Sequence, residues 1–242
     1  MARRPARKSA AKSARSSSSR RPAGPAAPLG ERDKIVAAFL ALLGEKPFEE
    51  IGFADIAKQA GVSLTQLRGE FASTLAMLAA HIKATDRAVL AEDLSDMAEE
   101  SPRERLFDVL MRRLDALAPH REAVRSLLRS ARRNPPLAVA LNGLAVRSQQ
   151  WMLTAAGISA SGPRGILRAQ GLAMLFASVL RTWTHDDDPG HARTMAALDR
   201  ALARGQRFAG FLDDLCYIPS RICRLRSRRH RRDEDSEEAA AA

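Results

Sequence analysis

The stretch from Phe53 to Phe71, Phe-Ala-Asp-Ile-Ala-Lys-Gln-Ala-Gly-Val-Ser-Leu-Thr-Gln-Leu-Arg-Gly-Glu-Phe, holds side chains whose types and spacing suit hydrogen bonding to base edges. It reads as two short helices folded across a tight turn. Ile56 and Ala57 give the first helix an apolar face, Gly61 permits the left-handed backbone of the turn, and Val62 can plug the hinge. Ser63 can cap the second helix, and Gln66 three residues later completes a capping box. Leu67 and Phe71, four apart, hold that helix to a core and leave Leu64, Thr65, Arg68 and Gly69 outward, with Gln66 beside them. A polar face of this kind on the second of two helices is where bases are read in a major groove.

Other candidate chemistry is weaker. His185-Asp-Asp-Asp-Pro-Gly-His191 contains types that bind divalent cations, but no His or Glu pair at i,i+3 or i,i+4 supports the loop. Asp188 before Pro189 reads instead as a helix N-cap with proline at the first helical position, so no metal is expected. Cys216 and Cys223 have neither a second cysteine pair nor a nearby histidine, and read as free thiols. With no Ser-His-Asp spacing, glycine-rich phosphate loop or isolated carboxylate pair, neither an enzyme nor a cofactor is expected. Phe107, Trp151, Met152, Met174, Phe176 and Trp183 could line a cavity for a small apolar molecule or serve as ordinary core.

The elements that must position these groups are helices. Aliphatic residues recur at helical spacing and nothing alternates as a strand would. A first helix is expected from Asp33 to Leu43, ended by Gly44, and a long fourth helix from Ser73 through Leu78, Ile82 and Val89 to Leu94. Ser101-Pro102-Arg-Glu104 marks a further helix start. More helices follow from His120 to Arg133, Pro136 to Ala156, Gly162 to Thr184 and Pro189 to Leu215, about nine in all. Leu172 and Val179 on one of the last two helices, with Met195, Leu198 and Leu202 on the other, make apolar stripes that could pair with a second copy.

The net charge of +11 on 242 residues is unevenly spread. Residues 1–30 carry eight Lys or Arg and no acid, whereas residues 31–83 carry six basic and seven acidic side chains. Sequence-independent attraction to phosphates must therefore come mainly from the arm, Arg20 and Arg21 included. The arm lacks the apolar residues needed to offset ordering and is expected to be disordered. No run approaches the roughly 18 apolar residues of a membrane span and no secretory signal is seen, so a cytoplasmic protein is expected.

The segment from about Ile35 to Leu78 resembles the N-terminal head of TetR-type repressors. Asp55-Ile-Ala, Ala60-Gly-Val-Ser63, Leu67, Phe71, Ser73 and Leu78 match that family's pattern. Arg68 stands where the family usually has tyrosine, Glu70 where it often has histidine, and Thr74 where it usually has a phosphate-contacting lysine. The resemblance implies an all-α protein, with a three-helix DNA-binding head and a larger helical domain for ligand binding and dimerisation. It further implies a homodimeric, ligand-responsive repressor acting on a palindromic operator. The expected division is a basic arm to residue 30, a head over 31–83, the larger domain over 84–216 and a charged tail over 217–242.

A second resemblance supplies an alternative. Trp183-Thr-His-Asp-Asp-Asp and Thr194-Met-Ala-Ala-Leu-Asp-Arg200 are similar to the end of lipid-binding ubiquinone-biosynthesis proteins, which share the fold without binding DNA. Under that reading the arginine-rich stretch from Leu215 to Arg232 would lie on a membrane surface.

Overall fold

A computed structural model describes residues 30–92, 97 and 99–206. The arm with Arg20 and Arg21, Leu94, both cysteines and the stretch Leu215 to Arg232 lie outside them. The described residues form α1 (Glu31–Glu45), α2 (Phe53–Ala60), α3 (Leu64–Glu70), α4 (Thr74–Leu90), α5 (Pro102–Leu117), α6 (Arg121–Arg133), α7 (Pro135–Ala155) and α8 (Gly162–Trp183), with α9 described over 192–206. No strand occurs among them. Nor is any helix among them long and apolar enough to cross a membrane.

Two apolar cores organise the chain. The first gathers Ile35, Phe39 and Leu43 of α1, Ile56 of α2, Leu67 of α3, and Met77 of α4. Phe48 closes on it edge-to-face with Phe39, ring centroids 6.2 Å apart. The second core joins Leu110 and Leu114 of α5, Met152 of α7, Phe176 and Trp183 of α8, and Leu198 of α9. α4 enters both, with Met77 and Leu78 in the first and Val89 in the second.

The head sits on α6 through polar contacts. The Phe48 N–H donates to Ser130 Oγ at 3.1 Å, Ser126 Oγ donates to the Lys46 carbonyl at 3.1 Å, and Asn134 Nδ2 donates to Glu49 Oε1 at 3.1 Å.

Three helix boundaries differ most from expectation, the first being α4, which ends at Leu90 in a turn rather than running on to Leu94. α1 continues past Gly44 to Glu45, where α6 packs against its end, and Gly44 faces Glu122 and Ala123. α9 begins after His191 rather than at Pro189. Asp188, Pro189, Gly190 and His191 instead form a turn, in which the His191 N–H donates to the Asp188 carbonyl at 2.9 Å. The Asp188 carboxylate still meets the helix start, accepting from the Ala192 N–H at 3.0 Å. Pro at the second turn position and Gly at the third suit a turn better than a first helical turn.

At Gly165 a Cβ would lie 2.1 Å from the Ala160 carbonyl carbon, so only glycine lets the loop before α8 fold back onto it.

Candidate nucleic-acid interface

α2 ends in a Schellman turn. Gly61 is left-handed, at φ 68° and ψ 34°, while the Val62 N–H donates to the Ala57 carbonyl at 3.0 Å and the Gly61 N–H to the Lys58 carbonyl at 3.3 Å. The reversal delivers Ser63 as N-cap of α3. Its Oγ accepts from the Gln66 N–H at 3.1 Å, and Gln66 Oε1 accepts from the Ser63 N–H at 2.8 Å. Both bonds form between residues three apart, which is why the sequence displays them.

Leu67 and Phe71 are buried, and Leu64, Thr65, Gln66, Arg68 and Gly69 are exposed. Arg68 forms no ion pair among the described residues. Gln66 is less available than its exposure implies, because Nε2 donates to Glu31 Oε1 at 2.8 Å while Oε1 serves the cap. Thr74 is half-buried as the first residue of α4, whose N-cap Ser73 accepts from the Ala76 N–H at 3.1 Å.

Sequence reading missed the groups that hold α3 from outside. Arg32 on α1 donates to the Glu70 carbonyl at 3.0 Å, pairs with the Glu70 carboxylate at 3.3 Å, and lies 4.2 Å from the Phe71 ring centroid. The acid at Glu70 thus has its own cation. Lys46 similarly reaches Asp55 at 2.7 Å. That bond, then the one from the Gly52 N–H, holds the Asp55 carboxyl below its ordinary pKa. Partners 38 and 9 residues apart leave no periodic mark in a sequence.

The six pocket candidates do not share one cavity. Met152, Phe176 and Trp183 are buried in the second core, Phe107 packs against it, and Trp151 is 59% exposed. Met174, also largely exposed, lines a groove between α8 and α9 together with Leu172 and Leu202. The expected dimer stripes are largely used up within one subunit. Leu172, Val179, Leu198 and Leu202 are buried there, and only Met195 remains exposed. Core burial and an interface need the same apolar periodicity, so the pattern alone could not separate them.

The body contains a polar group with no local signature. Asp86 on α4 accepts from Arg113 on α5 and, at 2.8 Å, from Ser148 Oγ on α7, all three buried. His81, five residues earlier on α4, stacks edge-on with His120 at 4.9 Å between centroids, and its buried Nε2 has no partner among the described residues. Burial first, then the charges of His120 and Arg113, lowers the His81 pKa to about 4. Next to this pair, Arg121 donates to the carbonyls of Trp183 and Asp186, and Arg125 Nε to that of Thr184 at 3.1 Å, closing the C-terminus of α8.

In the loop between α8 and α9 the charged groups serve the turn. Asp186 accepts from the Thr194 N–H at 2.8 Å and from Thr194 Oγ1 at 2.6 Å, and His185 Nδ1 lies 2.9 Å from the Arg181 carbonyl.

Solved structures share this arrangement over most of the chain. A TetR transcriptional regulator from Nitrosomonas europaea is 23% identical, with 73% of this chain and 98% of that one covered at a TM-score of 0.57. The chain has the TetR fold. A TetR regulator from Rhodococcus sp. RHA1 aligns at 22% identity, 72% and 95% coverage and a TM-score of 0.53. A putative TetR-family regulator from Syntrophomonas wolfei aligns at 14% identity, 74% and 94% coverage and a TM-score of 0.53. No protein-family model and no curated protein matches the sequence. Within the TetR fold, α3 is the second helix of the helix-turn-helix and α4 runs on from it into the second core.

Proposed function

We propose that the protein is a ligand-responsive, sequence-specific DNA-binding transcriptional regulator, acting as a repressor. The observation that carries this reading is the exposed face of α3. Leu64, Thr65, Arg68 and Gly69 stand clear of the protein while Leu67, Phe71 and the Ser63–Gln66 cap lock the helix behind them. A rigid helix with an arginine that no described residue pairs suits docking in a major groove. Gln66 and Ser63 then act by shaping the helix, and Thr74 at the start of α4 lies where a phosphate can approach.

Two copies would place two such helices about 34 Å apart on a palindromic operator. Val139 and Trp151 of α7 and Ile166 of α8 are large apolar side chains exposed on adjoining helices, which supports this helix pair as the dimer face. α4 belongs to both cores, so a ligand that shifts the body by favouring one of its packings would change the separation of the heads.

A genomic DNA pull-down with the full chain tests the reading. Short palindromes should be enriched, and Arg68→Ala should weaken binding to them by about 1–3 kcal/mol. Deleting residues 2–28 should flatten the dependence of log affinity on log salt by several units, at about 0.9 for each phosphate neutralised, with the preferred site unchanged. Recovery of bound isoprenoid lipid with no DNA enrichment would replace this reading by the lipid-binding one.

A further inference from the structure

Between α8 and α9, beside the start of α5, runs a groove of about 650 Å³. Sites that take small molecules span about 300–1,000 Å³. Its wall is aliphatic. Leu106, Leu153, Leu172 and Leu202 form the inner side, and Leu167 and Met174, 53% and 66% exposed, form the outer one.

The margin has one sign of charge. Arg103, Arg164, Arg168 and Arg204 border the groove, and no Asp or Glu is among the described residues that line it. Arg103 pairs with Asp199, and Arg168 donates to the Ser159 carbonyl at 3.4 Å. Arg164 and Arg204 are exposed and form no ion pair among the described residues. A guanidinium presents a planar fork of donors matched to carboxylate and phosphate. A second copy whose two-fold axis passed through this margin would set arginines against arginines, which disfavours that occupant.

We infer that the groove binds a long-chain aliphatic anion, with the alkyl tail along the leucine wall and a carboxylate or phosphate head at Arg164 and Arg204. Such a molecule is the effector of the regulator proposed above. Only this second statement rests on that proposal; the binding site does not. Gly171 gives a way to close the groove, since a Cβ built there meets nothing within 4 Å and a larger side chain can enter without displacing protein atoms.

The test titrates delipidated full-length protein by calorimetry with laurate, palmitate, palmitoyl-CoA and uncharged 1-dodecanol, each below its aggregation concentration. Palmitate should bind one per chain and tighter than laurate, because each methylene removed from the tail costs about three- to four-fold in affinity. 1-Dodecanol should bind at least ten-fold more weakly than laurate. Arg164→Gln with Arg204→Gln should remove that preference for the anion and leave 1-dodecanol unaffected. Gly171→Leu should abolish binding of all four with an unchanged or raised melting temperature, showing that the loss is not unfolding. Comparison of palmitate with palmitoyl-CoA then identifies the carboxylate or the phosphate head as the better fit.

Absence of saturable binding would overturn the site, as would equal affinity for laurate and 1-dodecanol, or binding unaffected by Gly171→Leu. Binding seen only after removal of residues 207–242 would overturn it too, since the groove would then belong to the chain's own C-terminal segment. The effector role is read separately, on the palindromes from the pull-down. Palmitate should weaken operator binding by the wild type and not by Gly171→Leu. If palmitate binds and operator affinity does not change, the effector role falls while the site stands. If no operator is found and palmitate binds as described, the regulator reading falls and the site stands.

Discussion

Head and body differ in where their cross-helix ion pairs lie, exposed in the head as at Arg32 and Glu70, and buried in the body as at Asp86 and Arg113. In the head, Ser63 and Gln66, Ser73 and Ala76, and Gly52 and Asp55 bond across three residues, each pair closing the start of its own helix. In the body, Asp86, Arg113 and Ser148 come from three helices, and Arg121 and Arg125 reach the end of α8 from α6. A local cap is formed as soon as its helix forms, and its loss is confined to one helix end. A buried cross-helix charge pair exists only once the body has packed, and removing one member strands the other. The part proposed to present a surface to DNA therefore starts its helices with local caps tied together by exposed pairs, and the part proposed to respond to a ligand rests on buried pairs that depend on its packing.

The largest expected effect tests that dependence. Arg113→Ala should destabilise the protein by about 3–5 kcal/mol in urea unfolding, because Asp86 stays buried without its cation. Arg113→Met combined with Asp86→Leu should recover most of the loss. Were the single variant to cost under about 1 kcal/mol, the body would not depend on this pair.

At the joint, His81 should make stability depend on pH. Its folded pKa of about 4 lies below its ordinary 6.5, so the unfolded chain binds the proton first as pH falls. Its contribution is complete above pH 6.5 and is lost progressively down to about pH 4, a change on the order of 2–3 kcal/mol allowing for partial exposure. His81→Gln should flatten the stability profile in that window. An unaltered slope would mean that His120 or another group carries it.

Smaller effects are expected in the head. Ser63→Ala should cost about 0.5–2 kcal/mol, with hydrogen exchange accelerated at the start of α3 and unchanged in α5 to α8. Exchange that rises throughout the molecule would contradict a confined, local role. Gly69 sits in the interior of α3 with open space around it, so Gly69→Ala should stabilise the protein by about 0.5–1 kcal/mol. Weaker operator binding by this more stable variant would show that the glycine allows close approach to DNA.

What the sequence alone determined is the local part of the molecule. Gly61 at the turn, Ser63 with Gln66, the Leu67 and Phe71 spacing and the Ser101-Pro102-Glu104 start each express a rule that acts within four residues, and the helices stand within a few residues of where periodicity places them. Where two local rules compete, the boundary moves, as at Asp188-Pro189-Gly190, where the turn displaced the helix start. Only the tertiary structure decided which apolar stripes are core and which are surface. It buried Leu172, Val179, Leu198 and Leu202 in one subunit, left Trp151 and Met174 outside, and joined Asp86, Arg113 and Ser148. It also gathered Arg103, Arg164, Arg168 and Arg204 from three helices around one groove. A helical repeat specifies a face but not its partner, and charges far apart in the chain acquire a common purpose only through the packing that brings them together.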